Sequence, residues 1–293
     1  MRPLHIFLVL LVVAVWGFNF VFVKIGLSEV PPLLLCASRF IPVSLPAIFF
    51  FKRPQIPFRW VILYTLVMFI FQFTLMFIGM KAGVSAGLGS LLLQIQVFFS
   101  LFFAKVLLKE RIHRWQVFGA LISFSGIVLV GWKIETGATF LGFILVLASA
   151  MVWGLGSVIV KKMGKVRSSS LLVWGSFLAW PPLVLLSLLF EDSGQILSNA
   201  HHLSSASLAA ILFIALGSTA FGFGIWNHFI QVYPLATIAP FTLLVPIFGM
   251  LGSTIFLKET LESWKILSGV LVVSGLTLNL ASTRIHQRQT TPD

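Results

Sequence analysis

Charge is what this chain has least of. Lys, Arg, Asp and Glu make up 10% of its 293 residues, whereas 58% are hydrophobic; a soluble domain carries about 25% charged residues. So little charge cannot cover a water-facing surface, which excludes a pair of ordinary soluble domains. Cysteine is nearly missing too. Cys36 stands alone, which excludes an internal disulfide and a thiolate cluster for zinc or iron–sulfur, and it reads as a small buried apolar side chain. The eight acidic residues all fall outside the centres of the apolar runs. No G-x-x-x-x-G-K-S/T loop is present, so an ATPase of the P-loop kind is not expected, and neither is any cofactor or bound metal.

What the chain has is long apolar runs. A bilayer core asks for about 20 consecutive apolar residues per helix, and ten spans fit: 4–27, 31–51, 58–80, 84–107, 114–132, 138–161, 169–190, 205–232, 235–257 and 263–283. Membrane barrels would instead show alternating ten-residue segments, so the expected class is all-α, with backbone groups satisfied inside each helix. The first run, Leu4 to Val23, exceeds the length of a secretory h-region and is read as a retained span. A net charge of +12 in a soluble protein would suggest nucleic acid. Here the basic residues sit in short loops between apolar runs, the pattern that orients membrane proteins, so lipid is the expected partner and nucleic acid is not.

The two halves of the chain resemble each other. W-G-F-N-F-V-F-V-K, Trp16 to Lys24, is answered by W-G-L-G-S-V-I-V-K, Trp153 to Lys161, and L-K-E-R-I-H-R-W, Leu108 to Trp115, by L-K-E-T-L-E-S-W, Leu257 to Trp264. Gly126 and Gly275 keep the same spacing as Trp115 and Trp264. The expected organisation is therefore two five-helix repeats, 1–133 and 138–285, with a tail at 286–293. Five is odd, so the second repeat must enter the bilayer from the opposite side. Loop charges agree: Lys52, Arg53 and Arg59 follow the second span, and Glu191 and Asp192 its counterpart. With the amino terminus in the cytoplasm, inner segments hold 13 Lys and Arg and outer loops 4, which places both termini inside.

Inverted repeats are the common plan of secondary transporters, with substrate held near the bilayer centre. Polar residues at mid-span are therefore the site candidates. Arg39 lies close to the centre of the second span without an acidic residue at its depth, and an isolated cation there costs about 2.5–3.5 kcal/mol; neighbouring carbonyls and glutamines, or a substrate carboxylate, are the alternatives for compensating it. Trp16 and Asn19 share one helix face, as do Trp153 and Ser157, and an aromatic wall beside an amide seats a small zwitterion. Gln72, Gln94 and Gln96 each need a hydrogen-bond partner. Gln94 and Gln96 differ by about 200° on an α-helix, so only one is expected to face a cavity. Trp226, Asn227, His228 and Gln231 read as an interfacial girdle, His228 being a possible proton-linked group. His201 and His202, adjacent in an outer loop, do not make a metal site.

The W-G-F-N of the first span, S-R-F at Ser38 to Phe40, K-E-R at Lys109 to Arg111, and P-I-F-G at Pro246 to Gly249 followed by L-K-E together resemble the EamA family of the drug/metabolite transporter superfamily. Val15 to Leu27, Pro31 to Leu35, Pro46 to Phe50 and Ala86 to Gln96 are similar to its branch that exports cysteine and O-acetylserine. One departure is visible. Val97 stands where many relatives have proline, thirteen residues before Glu110, whereas Pro246 keeps that place before Glu259, so the resemblance leaves a kink in the fourth span open. The resemblance implies a ten-helix carrier of the bacterial inner membrane, not an enzyme, that exports small amino-acid-like metabolites and has no obligate protein partner. Efflux of lipophilic drugs is the alternative, weakened by the absence of a membrane carboxylate. A membrane enzyme would want a paired base and nucleophile at one depth.

Overall fold

The computed structural model describes residues 1–110, 112, 114–132, 139–192 and 203–258, and beyond them residues 260, 262–264, 266–271, 274–275 and 277–278. Every element among the described residues is helical. In chain order they are α1 Pro3–Glu29, α2 Pro32–Ser44, α3 Phe58–Lys81, α4 Ala86–Leu108, α5 Arg114–Trp132, α6 Phe140–Lys162, α7 Ser168–Phe190, α8 Ser205–Val232 and α9 Ala239–Leu257. Seven of these, all but α2 and α5, are long and apolar enough to cross a membrane among the described residues. Residues 263–264, 266–271, 274–275 and 277–278 are helical as well; the rest of the expected tenth span and the tail at 286–293 lie outside the described residues. Phe49, Phe50, Phe102, Leu189, Phe190 and Ile255 expose most of their side-chain surface, which suits lipid rather than water. The chain is a multi-pass membrane protein.

The expected second span, 31–51, is shorter and broken. Helix runs over Pro32–Ser38, turns at Arg39 and Phe40, resumes over Ile41–Ser44 and ends in a 3₁₀ turn at Ala47–Phe49. Pro42 and Pro46 carry no N–H and clash with the preceding turn, which removes the bonds that would continue one helix. In α7, Pro181 and Pro182 instead sit inside an unbroken helix.

Irregular turns recur at matching places. α3 is π-helical over Thr65–Phe71 and α8 over Phe213–Phe223. α4 tightens to 3₁₀ at Leu93–Ile95, and α9 at Ala239–Leu244. The turn in α4 forms without the proline that α9 has, so a local tightening of the helix does not need proline at Val97. Among the described residues only Lys109 and Lys258 take positive φ without being glycine, each at 55°, and they end α4 and α9 as left-handed caps.

Packing follows one rule. α1 lies along α8 and α9, and α6 along α3 and α4. The W-G pairs permit it: a Cβ on Gly17 would stand 2.7 Å from the Val245 carbonyl of α9, and one on Gly154 would stand 2.9 Å from the Ser100 nitrogen of α4. Helices that meet this closely in lipid gain dispersion contact only where a residue is small. α2 and α7 pack on each other and flank α3 and α8.

Candidate functional site

Where α1 and α6 approach at mid-depth, their tryptophans meet. The Trp16 and Trp153 rings contact edge to face, centroids 5.2 Å apart, and Trp16 also touches Phe223 and Trp226. Trp16 Nε1 donates to the Ser218 carbonyl at 3.1 Å. That carbonyl belongs to the π-helical stretch of α8, where i to i+5 bonding loosens the ladder, and Gly222 leaves the room the Trp16 ring fills. A cavity of about 20 Å³ lies beside these rings, room for about one water. An amino acid is several times larger, so the cavity does not admit one in this conformation.

Five sequence-predicted residues line that cavity: Trp16, Asn19, Gln94, Gln96 and Trp153. The expectation that only one glutamine would face it is overturned. The 3₁₀ turn Leu93–Ile95 advances about 120° per residue, which brings Gln94 and Gln96 to adjoining flanks instead of opposite faces. Their chemistry differs. Gln96 Nε2 donates to Thr242 Oγ1 at 2.5 Å and its carbonyl oxygen accepts from Ser100 Oγ at 3.1 Å, which ties α4 to α9. Gln94 Nε2 donates to the Ser90 carbonyl at 2.9 Å, while its Oε1 has no partner. Asn19 Oδ1 and Trp153 Nε1 are likewise buried without a partner. Each such group costs about 1–3 kcal/mol. Among the described residues the lining holds no charged side chain.

The other candidates lie elsewhere. Arg39, fully buried at the break in α2, does not line the cavity. Its Nε donates to Thr219 Oγ1 at 3.0 Å and its Nη2 to Ser218 Oγ at 3.4 Å, and the guanidinium sits 3.6 Å from the centre of the Phe73 ring. Hydroxyls and a ring therefore meet the cation, not the glutamines expected, while its Nη1 is buried without a partner, and Ser218 and Phe73 carry its influence to the cavity wall. Gln72 turns toward α6, where its Nε2 donates to Ser149 Oγ at 3.1 Å; the π-helical turn just before it shifts its phase. Ser157 is buried but absent from the lining, about 6 Å further along α6 than Trp153 at 1.5 Å per residue.

His228 is exposed, its ring against Phe229 and away from the cavity. The girdle around it is corrected as well: Trp226 is buried against Trp16, and Asn227 Nδ2 donates to Tyr64 Oη at 2.7 Å. His201 and His202 lie outside the described residues. Among the described residues no group of three or more His, Cys, Asp or Glu is placed to hold a metal. Cys36 is free and buried.

Sequence reasoning missed Phe20, Phe73, Met76, Leu93, Phe223, Thr242 and Val245 in the lining. Thr242 was findable from its place in the α9 turn next to Pro240; the phenylalanines were not, because the chain has 30.

The profile of the EamA-like transporter family matches residues 3–132 and again 140–281. A "Probable amino-acid metabolite efflux pump" of Salmonella typhimurium is 35% identical over 287 residues, 96% of this chain and 96% of that protein. A protein of the same name from Escherichia coli is 33% identical over 283 residues, 94% and 95% of the two chains. A solved structure described only as a crystal structure of a protein superposes with a TM-score of 0.74 over 99% of this chain and 100% of its own, at 16% identity; it bears on the fold alone.

Proposed function

The chain belongs to the EamA-like transporter family, a transporter and not an enzyme, and from that premise we propose that it exports small, net-neutral amino-acid-like metabolites, of the cysteine and O-acetylserine kind, by alternating access. Three buried atoms carry this reading: Asn19 Oδ1, Gln94 Oε1 and Trp153 Nε1, all on the cavity and all without a partner. Two acceptors and one donor are what the ammonium and carboxylate of a zwitterion would complete, and the indole faces of Trp16 and Trp153 add cation–π attraction for the ammonium. A lining without charge suits a solute without net charge, whose side chain would rest on Phe20, Phe73, Met76 and Leu93. The printed name of the two bacterial relatives, amino-acid metabolite efflux pump, supports the substrate class.

The carrier is read as two inverted five-helix repeats with substrate at their interface. The double family match, the paired π and 3₁₀ turns and the paired lysine caps support that plan. Loop charge supports a bacterial inner-membrane location with both termini cytoplasmic. Arg39 is scaffold in this reading, bracing Phe73 and Ser218, and Gln72 and Ser157 join helices rather than touch substrate. His228, pointing outward, leaves proton coupling without a group at the cavity.

Counterflow decides the matter. Liposomes loaded with unlabelled O-acetylserine and containing the purified protein are expected to accumulate labelled cysteine or O-acetylserine; movement of lipophilic dyes with no movement of any amino acid would replace this reading with drug efflux.

A further inference from the structure

Lys24 and Lys161 end the two matching sequence words that begin at Trp16 and Trp153. Their side chains do the same thing at opposite ends of the molecule. Lys24 Nζ reaches from α1 to the Met80 carbonyl, 3.5 Å away in the last turn of α3. Lys161 Nζ reaches from α6 to the carbonyls of Ile230 at 3.0 Å and Tyr233 at 2.7 Å, where α8 ends. The last carbonyls of a helix lack intrahelical donors and carry the negative end of its dipole, so an ammonium with three donors suits them.

The helices joined are the informative part. α1 packs most extensively with α8 and α9, and α6 with α3 and α4, and the two sets meet where α4 packs on α9, so the described helices around the cavity fall into two groups with an α4–α9 seam between them. Each lysine leaves its own group and binds the other. Lys81 Nζ adds a third crossing bond, from α3 to the Leu27 carbonyl of α1 at 2.9 Å, at the same end as Lys24. Midway, Gln96 and Thr242 tie the 3₁₀ turns of α4 and α9 together. The two groups are thus fastened at both ends and joined in the middle, with a cavity of only about 20 Å³ between them.

We propose that Lys24 and Lys161 are the latches of two gates, the outer and the inner, that must part in turn for substrate to pass, the joined turns of α4 and α9 acting as the pivot. The proposal rests on the transport reading above. A substrate leaves only if the groups separate at one end; the lysine–carbonyl contacts span the groups there, and in the inner half the Asn227–Tyr64 hydrogen bond between α8 and α3 spans them as well. Because each latch holds a different end, loss of one favours opening at its own end and closure at the other.

The test uses the full chain with Cys36→Ser and one reporter cysteine, either Met76→Cys in the outer half of α3 or Ser157→Cys in the inner half of α6. A membrane-impermeant maleimide is applied from each side of sealed vesicles. Lys161→Met is expected to speed inner-side labelling of the Ser157→Cys reporter about tenfold and to slow outer-side labelling of the Met76→Cys reporter, the scale on which lost charge-assisted hydrogen bonds move a two-state equilibrium. Lys24→Met is expected to do the reverse, and Lys161→Arg, which keeps donors, to stay near the parent. If Lys161→Met does not accumulate, Lys161→Gln replaces it, with a smaller shift in the same direction. Shifts of the same sign from both lysines, or no shift in folded protein, overturn the latches. Labelling needs no substrate, and counterflow is measured on the Cys36→Ser protein without a reporter cysteine, so unmoved labelling with intact amino-acid counterflow sinks the latches alone, and opposed shifts without any counterflow sink the transport reading alone.

Discussion

The two halves of the molecule share a skeleton but not its chemistry. Helix irregularities, lysine caps and W-G contacts occur in both. Amide side chains at the centre do not. At the spacing of 149 residues that separates Lys109 from Lys258, Gln72 answers to Phe221, Gln94 to Leu243 and Gln96 to Val245; in the paired words of α1 and α6, Asn19 answers to Gly156. The first half holds the amides together with Trp16, Phe20, Phe73, Met76 and Leu93, and the second half supplies Trp153, Phe223, Val245 and the hydroxyls of Ser218 and Thr242. A skeleton whose irregular turns and caps recur therefore encloses a chamber whose polar groups do not. An asymmetric solute such as an amino acid asks for that arrangement, since one copy of a polar subsite binds its charged head and a second copy would leave costly amides facing its side chain.

The sharpest way to break the shared skeleton is to fill its closest contacts. Gly17→Leu and Gly154→Leu push side chains into backbone of α9 and α4 that lies within 3 Å of a Cβ. Each is expected to destabilise by about 4 kcal/mol, at the severe end for single substitutions, seen as loss of monodisperse protein in detergent. Equal damage from the two would confirm that both crossings carry the fold; a well-folded Gly154→Leu protein would show that only α1 needs the contact.

Arg39 belongs to one half only and gives the next largest effect. With two hydroxyl partners and the Phe73 ring around it, Arg39→Gln is expected to lower stability by about 3 kcal/mol. Melting temperature and yield should fall while the substrate affinity of the surviving protein changes little. Unchanged melting with abolished binding would move Arg39 from scaffold to ligand.

The same contrast marks what the sequence could disclose. The limits of the seven helices long enough to cross a membrane were legible because charge and turn residues bound those apolar runs, whereas the second span came out shorter and broken; the W-G and L-K-E words marked positions the structure uses twice. Helix phase was not legible. A π-helical stretch and a 3₁₀ turn add or remove a fraction of a residue per turn, and no residue type announces them: α4 tightens at Leu93–Ile95 without a proline. Every side chain beyond such a turn is rotated, which is why Gln94 and Gln96 both reach the cavity, Gln72 turns to Ser149 and His228 faces outward. Depth and residue type found Asn19, Trp16 and Trp153, on α1 and α6, whose helices are regular.

Asn19→Ala and Gln94→Met test the chemical half of the contrast. Each removes an acceptor that has no partner inside the protein, and Gln94→Met also gives up the bond to the Ser90 carbonyl, so folding should be untouched or slightly improved in Asn19→Ala and little changed in Gln94→Met. Substrate affinity, measured by counterflow or ligand-induced stabilisation, is expected to weaken about tenfold to a hundredfold, the range for a hydrogen bond to a charged group. In the other half, Thr242→Val takes from Gln96 its partner and should weaken binding by less than about tenfold, mostly through stability. A larger loss at Thr242 than at Asn19 would put the substrate's polar end in the second half.

The smallest effect concerns the lysine caps, where opposing contributions nearly cancel. Lys109 and Lys258 both sit at φ 55°, which costs a residue with a Cβ about 1–2 kcal/mol. Glycine would remove that strain. It would also lose the attraction of a cation for the helix C-terminus, about 0.3–1 kcal/mol, and add about 0.5–1 kcal/mol of backbone entropy to be overcome on folding. Relief of strain outweighs these two losses by a narrow margin, so Lys109→Gly and Lys258→Gly should each raise stability by about 0.5 kcal/mol or less in thermal melts. The sign and size should agree between the two, because the same cap ends α4 and α9. Gain at one and loss at the other would mean that one lysine has a further partner at its membrane face, and the symmetry of the skeleton would then stop short of its caps.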